Sequence, residues 1–545
     1  MGKFKTCFFN VNDLGDKIAF MREQLLPSRF GEIFDILVDD IEADEPSLLE
    51  FKYQDNVIDL LNKHIRNRSN ICLLADVDLD GLGSAYVVYE FLNSLGLSGC
   101  IKPLINKERV HGLSDKHIDY INNKSKPDLF IIVDSSSSYL DIIRQFNCDV
   151  IVFDHHKIDF DRVGLENKDS DILNHGNTSN GEYYIVSNIL SGLSPDMSGC
   201  QVCYEFFRIM EDRLKISNSI LKSKLLYQIV GITLFSDAIK LCNFRNQWYI
   251  QNTLCNFNIN STLKVLMSKI NKYNRVLTKT FIQFKLVPLF NKAIRAGYSS
   301  LALNIFLNFP DKIDELINLN LDCVQKEILN ANANNCNLYG NITVSNLGLT
   351  DTSTNYSGLI AQRLVDTFKK SSIAFRLKGD FYKGSFRGLY NLDYNKALCD
   401  AGIKCAGHHS AFGIEFSVDS FPIIQSVVYK LESNLGDEYK TSFISVDCSG
   451  GEIELSKEEF SDFKSSRGLW DIAHVNKNLA SSEQLLIKIH SSLLEKVDNT
   501  SNSKFKEYKL FGIRSVSFDS ELTDYVNIYC EYTDSINVFI RNIYE

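Results

Sequence analysis

Carboxylates recur in this chain at one kind of place, the end of a short apolar run. ICLLAD ends in Asp76, LFIIVD in Asp134, VIVFD in Asp154 and IVGITLFSD in Asp237. The first run continues as ADVDLDG, which adds Asp78, Asp80 and Gly81, and the third continues into His155 and His156. A lone aspartate at such a position is usually a turn residue or a helix cap. Together the set offers hard oxygens and imidazole, the donor mixture that suits Mn2+ or Mg2+. Three aspartates at alternate positions also resemble the start of a calcium loop. The twelfth position from Asp76 is Val87, however, where that loop requires a bidentate glutamate. The alternative is a strand-to-helix turn in which Gly81 permits the bend and the carboxylates face one or two cations. In VFDHHKID, adjacent residues of an extended strand point to opposite sides. Alternation therefore gives the two imidazoles different tasks, with Asp154 orienting them.

The elements that must position these groups follow from the runs themselves. Short, unalternating stretches of Ile, Val and Leu are what parallel strands buried on both faces require. All four runs, IVGITLFSD included, read as such strands. Helical patterns lie at 83–96, 114–124 and 138–146. Strands alternating with helices predict an α/β doubly wound parallel sheet, whose ligands bind beyond the carboxyl ends of its strands. A carboxylate buried there needs a partner, and four at one sheet edge point to cations. From about 204 to 335 the pattern is helical, and ANANNCNLYGN (331–341) marks a boundary. A smaller α/β unit follows, from ITVSNLG, SGLIAQRLVDTFKK (357–370), SSIAFRLK and FYKGSFRG. Beyond about 440 the segments EQLLIKIHSSLLE, VNIYCEY and INVFIRN are β-like. The expected division is an N-terminal helical extension (1–60), a catalytic domain (61–245), a helical connector (246–335), a substrate-binding domain (336–435) and a β-rich C-terminal domain (436–545).

Composition limits the partners. With 58 basic against 68 acidic residues the net charge is −10, which excludes a whole-protein electrostatic grip on nucleic acid. Any phosphate-binding surface must be local. The 14 cysteines form no disulfide framework, and Cys200 with Cys203 reads as two core thiols one helical turn apart. No apolar run approaches the roughly 18 residues of a membrane span, and no leader is recognised, so a cytoplasmic location is expected.

In order and spacing the four motifs resemble the DHH superfamily of metal-dependent phosphoesterases. The resemblance implies a doubly wound domain holding two divalent cations, Mn2+ or Mg2+, joined to a smaller domain that grips substrate. It assigns Asp76, Asp78, Asp80, Asp134, His155 and Asp237 to the cations, with Asp134 bridging and His156 facing the scissile phosphate. KGSFRG (383–388) and AGHHSAFG (406–413) resemble the GSxR and GGHxxAxG signatures of the accessory domain, which makes Ser385, Arg387 and His408 phosphate contacts. Here Ala406 stands for the first glycine, His409 is additional and Phe412 replaces a small residue.

Further segments resemble RecJ-type single-strand exonucleases. LVPLFNKAIRAG (286–297) keeps Pro288, Asn291 and Arg295 but has Leu289 where an arginine is expected. INKERVHGLS (105–114) offers Arg109 to a 5′-phosphate pocket, and SGLIAQRL (357–364) resembles the start of the accessory-domain helix. The β-like tail stands where RecJ-type proteins carry an oligonucleotide-binding barrel. RLKGDFYKGSFRGLY (376–390) interleaves basic and aromatic residues, as strand-tracking grooves do. The resemblance implies a monomeric 5′→3′ exonuclease on single-stranded DNA, working through a two-metal-activated water, with a single-strand-binding protein or helicase as partner. Two other readings are a phosphodiesterase for short oligonucleotides or nucleotide second messengers, and a non-catalytic replication scaffold. The intact ligand set favours an enzyme.

Overall fold

The computed structural model describes residues 45–106, 111–163, 173–236, 239, 241, 243–255, 261–270, 277, 281–307, 309–319, 336–347, 355–390, 392–407 and 409–433, and beyond these 452–454, 486–490, 494–496, 506–510, 513–517, 522, 525–532 and 536–542. Of the residues singled out from sequence, Arg109, Asp237 and His408 lie outside this set, as does most of the expected N-terminal extension. The chain divides into two compact units. One comprises 1–294, 298–317 and 448–541, the other 295–297, 318–447 and 542–545.

The first unit is built on a six-stranded sheet. Its strands are β1 (Ile71–Ala75), β2 (Ile101–Ile105), β3 (Leu129–Val133), β4 (Asp149–Asp154), β5 (His175–Asn177) and β6 (Glu182–Ser187), in the order β2-β1-β3-β4-β6-β5. Every pair is parallel except β5–β6. Each residue of β1, β3 and β4 is buried, as unalternating apolar runs demand. From β1 the chain crosses first to β2 on one side and then to β3 on the other. The strand order therefore reverses between β1 and β3, the switch point at which such sheets open a ligand crevice. Asp76 and Asp134 follow the ends of those two strands.

Two helices close on this crevice. Leu79–Leu92 leaves β1 and runs into a π-helical turn, Asn93–Leu97, while Gly199–Arg213 arrives from beyond β6. They are held together by Phe91 stacked on Phe207 at 4.2 Å, and Phe153 of β4 packs edge-on to Phe206 at 5.1 Å. Rings of this size, fully buried, contribute about 2–3 kcal/mol each. The expected helix at 138–146 shrinks to Leu140–Ile143, and that at 114–124 appears as Asp115–Asp119 followed by a π-helical turn, Tyr120–Ser125.

IVGITLFSD is not a strand. Tyr227–Thr233 is a helix whose buried face packs against the helix Phe244–Cys255. A short apolar run bounded by turns fits a buried helix as well as a buried strand, and the other helices supply the packing that decides it. The parallel strand that takes its expected place is β6.

The second unit carries β7 (Cys336–Tyr339), β8 (Ile342–Asn346), β9 (Ser371–Lys378), β10 (Phe381–Arg387), β11 (Lys404–Gly407) and β12 (Ala411–Phe416), in the order β11-β12-β10-β9-β8-β7. The single parallel pair, β8–β9, is bridged by the helix Ser357–Phe368. The tail is β-rich as expected. It forms a mixed sheet, ordered β13-β14-β18-β19-β17-β16-β15, of β13 (Glu452–Glu454), β14 (Leu486–His490), β15 (Leu494–Lys496), β16 (Lys506–Leu510), β17 (Ile513–Ser517), β18 (Tyr525–Tyr532) and β19 (Ile536–Asn542). Among the described residues no helix is long and apolar enough to cross a membrane.

Candidate metal centre

The turn after β1 sets three carboxylates by three different means. Asp76 is buried, and its Oδ2 lies 2.5 Å from His111 Nδ1 while its Oδ1 accepts the Gly112 amide at 3.3 Å. Asp78 caps the helix Leu79–Leu92, accepting from the Gly81 amide at 2.9 Å. Asp80, in the first helical turn and fully buried, accepts from the amides of Gly199 at 2.6 Å and Cys200 at 3.1 Å. Those amides are the N-terminus of the helix Gly199–Arg213, whose dipole favours a carboxylate there. Burial nevertheless pushes the Asp80 carboxyl above its ordinary range, against the pull of His155, and neighbouring Asp78 pushes it further up. A buried carboxylate so placed is stabilised by added positive charge.

Across the switch point, Asp134 sits in the left-handed region, φ 62°, and its amide donates to the Phe153 carbonyl at 2.7 Å. A non-glycine residue at positive φ is strained, a feature that clusters at functional sites. Its Oδ1 lies 3.2 Å from His155 Nε2, which is 3.8 Å from Asp80 Oδ2. Burial lowers the pKa of His155, with His156 adding to the effect, which keeps a nitrogen lone pair available.

The histidine pair departs from strand alternation. β4 ends at Asp154, so His155 and His156 lie in the turn beyond it, and their rings sit side by side with centroids 4.5 Å apart. They are not on opposite faces. Their division comes from burial instead: the His155 side chain is 12% exposed and that of His156 is 54% exposed. Asp154 lies against both histidines. Its Oδ1 receives the amides of His155 and His156 at 2.8 and 3.1 Å and contacts His156 Nδ1 at 2.8 Å, while Oδ2 receives Ser137 N–H at 2.9 Å. Burial works against ionisation of Asp154, but the His156 charge and these hydrogen bonds outweigh it and hold the carboxyl well below the usual range.

Two groupings of donors result. The ligand atoms of Asp76, Asp78 and His111 lie within 4.8 Å of one another, as do those of Asp134, His155 and His156. Carboxylate oxygens and imidazole nitrogens at the carboxyl ends of β1, β3 and β4 fit divalent cations of the Mn2+ or Mg2+ kind. His111 was not recognised from sequence. Its one signal is its place in INKERVHGLS, two residues beyond Arg109.

In the second unit Ser385 and Arg387 lie on β10. Ser385 pairs with Ala374 and Gly413, and Arg387 with Ser372 and Ala411, so small residues flank both. Ser385 Oγ lies 2.8 Å from Ser357 Oγ at the start of the helix Ser357–Phe368, and Arg387 donates to the Phe386 carbonyl at 2.7 Å. The Arg387 guanidinium also lies against Gly358, where a Cβ would come within 2.6 Å of it. Hydroxyls and a guanidinium near a helix N-terminus are donors of the kind that can bind an anion. Asn291 and Arg295 lie one turn apart on the helix Val287–Arg295, and the Arg295 carbonyl accepts from Asn355 at 3.0 Å.

Residues 70–232 match the family model described as "DHH family, N-terminal domain". The chain is 24% identical over 468 residues to the single-strand DNA-specific exonuclease YorK named in the SPbeta prophage of Bacillus subtilis strain 168, covering 76% of this chain and 74% of that protein. The protein of the same name from Bacillus phage SPbeta matches equally. In fold, the chain superposes on RecJ of Thermus thermophilus in complex with Mn2+ with a TM-score of 0.68 and 17% identity, covering 96% of this chain and 78% of that one. A manganese-bound exonuclease RecJ superposes with a TM-score of 0.53 and 18% identity, covering 72% of this chain and 98% of that one. Residues 70–232 thus carry the features of a DHH-family N-terminal domain, and the chain has the fold of RecJ.

Proposed function

We propose that this protein is a metal-dependent 5′→3′ exonuclease that degrades single-stranded DNA to 5′-mononucleotides. The observation that carries the reading is the convergence of Asp76, Asp78, Asp80, Asp134 and His155 at the switch point of the sheet. Two divalent cations, Mn2+ or Mg2+, held by these residues with Asp237 would polarise the phosphoryl group and lower the pKa of an attacking water.

The remaining roles belong to the protein. Asp134, grouped with His155 and His156, would be the carboxylate shared by the two cations, the role that the motif resemblance implies. Asp80, fixed by two helix N-terminal amides, keeps the distance between β1 and the histidine loop. His156, half exposed and held by Asp154, is the group placed to hand a proton to the leaving oxygen. Ser385 and Arg387 hold a phosphate of the strand, for which a guanidinium fork is better suited than an ammonium, and Arg109 and His408 keep the phosphate-binding roles that the motif resemblance gives them. Gripping the end and cutting the next linkage gives the reaction its direction. Asn291 and Arg295 contact the following backbone phosphates. The 24% identity to a named single-strand DNA-specific exonuclease supports DNA as substrate.

The test is Asp134→Ala with a 5′-phosphorylated single strand. Hydrolysis is expected to fall by at least 1000-fold, with strand binding in EDTA within a few-fold of wild type. Retained hydrolysis would refute the assignment of the site.

A further inference from the structure

We propose that His111 contributes an imidazole nitrogen to the cation position bounded by Asp76 and Asp78. Each of the two donor groupings then mixes oxygen with nitrogen. The inference rests on the metal-dependent reading above and adds a ligand that the sequence motifs did not supply.

The first observation is proximity. His111 Nδ1 is 2.5 Å from Asp76 Oδ2, and His111, Asp76 and Asp78 bring ligand atoms within 4.8 Å of one another. Neighbouring donors on a cation with bonds of about 2.1 Å sit about 3 Å apart, so the hydrogen-bonded pair would need to open by only about 0.5 Å to share an ion.

The second is that the backbone under His111 is held in place from several directions. Gly112 takes φ 74°, and its amide points at Asp76 Oδ1. Its carbonyl accepts from Asn106 Nδ2 at 3.2 Å, and Asn106 Oδ1 is in turn 2.9 Å from His117 Nε2. Tyr139 lies against Gly112, where a Cβ would meet its ring at 2.9 Å, and its hydroxyl donates to the His111 carbonyl at 3.4 Å. The Arg162 guanidinium covers the Tyr139 ring at 3.7 Å. Bracing of this kind fixes where the imidazole stands, and it stands at the crevice with its outer side open.

The chemistry gives the consequence. A position made only of carboxylates and water suits Mg2+, whereas an imidazole shifts preference toward Mn2+ and the later divalent metals. The experiment loads the full chain with Mn2+ and records 14N couplings by pulsed electron paramagnetic resonance, alongside Mn2+ and Mg2+ titration calorimetry. Wild type is expected to show nitrogen coupling at both positions. His111→Gln should lose one set and keep the His155 set, with Mn2+ affinity reduced 10–100-fold and Mg2+ affinity changed less. Unchanged couplings and unchanged Mn2+ affinity in His111→Gln would overturn the proposal while leaving the enzyme reading intact. A wild-type protein that binds no Mn2+ would overturn both.

Discussion

Gly199 is the position at which a single methyl group should separate catalysis from folding. It opens the helix Gly199–Arg213, gives its amide to Asp80 at 2.6 Å, and lies against Asp134. An alanine Cβ there would come 2.3 Å from Asp134 Oδ1, 2.8 Å from its Cγ and 2.9 Å from its Cβ. Ordinary contact needs about 3.5 Å, so either the carboxylate or the helix must move by about 1 Å. Rotating Asp134 does not relieve the overlap, because its own Cβ is involved and its backbone is tied to Phe153. A displacement of about 1 Å at a catalytic group costs on the order of 100-fold in rate, or about 2.7 kcal/mol on the barrier. Overpacking costs about 1–3 kcal/mol of stability. Alanine's better helix preference offsets about 0.5–1 kcal/mol of that. Gly199→Ala is therefore expected to fold and melt within several degrees of wild type while kcat on a 5′-phosphorylated single strand drops about 100-fold. Wild-type kcat, or a loss that merely tracks unfolding in a parallel thermal melt, would refute the reasoning.

Asp154→Asn keeps the shape of the acceptor but removes the charge behind the His156 imidazole. Activity or metal affinity should fall 10–100-fold with native circular dichroism, and unchanged values would remove Asp154 from the site. Asp149 bonds buried His64 at 2.9 Å and Lys63 at 3.1 Å, and despite its burial these partners lower its carboxyl to about 2. Its folded pKa lies below the unfolded value of about 3.9, so this stabilisation is complete above pH 4 and is lost as pH falls from about 4 to 2. Acid titration followed by denaturant melts should find Asp149→Asn less stable at pH 7 by about 1–2 kcal/mol, with the gap closing near pH 2. A gap independent of pH would contradict the pairing. Gly358→Ala should push the Arg387 guanidinium aside and narrow the preference for 5′-phosphate over 5′-hydroxyl ends about tenfold. An unchanged ratio in competition assays would dissociate Arg387 from the end-binding role.

The strand-end aspartates were legible because a buried parallel strand must be apolar throughout, so Asp76, Asp134 and Asp154 stand out against Ile, Val and Leu. Ser385 and Arg387 stood out only through the resemblance of KGSFRG to the GSxR signature, and both lie on β10 beside small residues. What escaped has physical causes. His111 reaches Asp76 through a loop, and loops carry no periodicity from which a neighbour can be inferred. Gly199 meets Asp134 only because two helices and two strands pack at one point, a contact between residues 65 positions apart. The opposed histidines failed because alternation ends where the ladder ends, at Asp154. IVGITLFSD misled because burial on all sides erases the difference between a strand and a helix of the same length.

The central claim is tested most directly by the order in which label leaves a single strand. One 5′-phosphorylated DNA strand is labelled at its 5′ end and a second copy at its 3′ end, each followed with Mn2+ and with EDTA. With Mn2+, the 5′ label should appear at once as mononucleotide while the 3′-labelled strand shortens step by step; EDTA should stop both. Release of the 3′ label first, cutting at internal linkages, or hydrolysis that persists in EDTA would contradict the account.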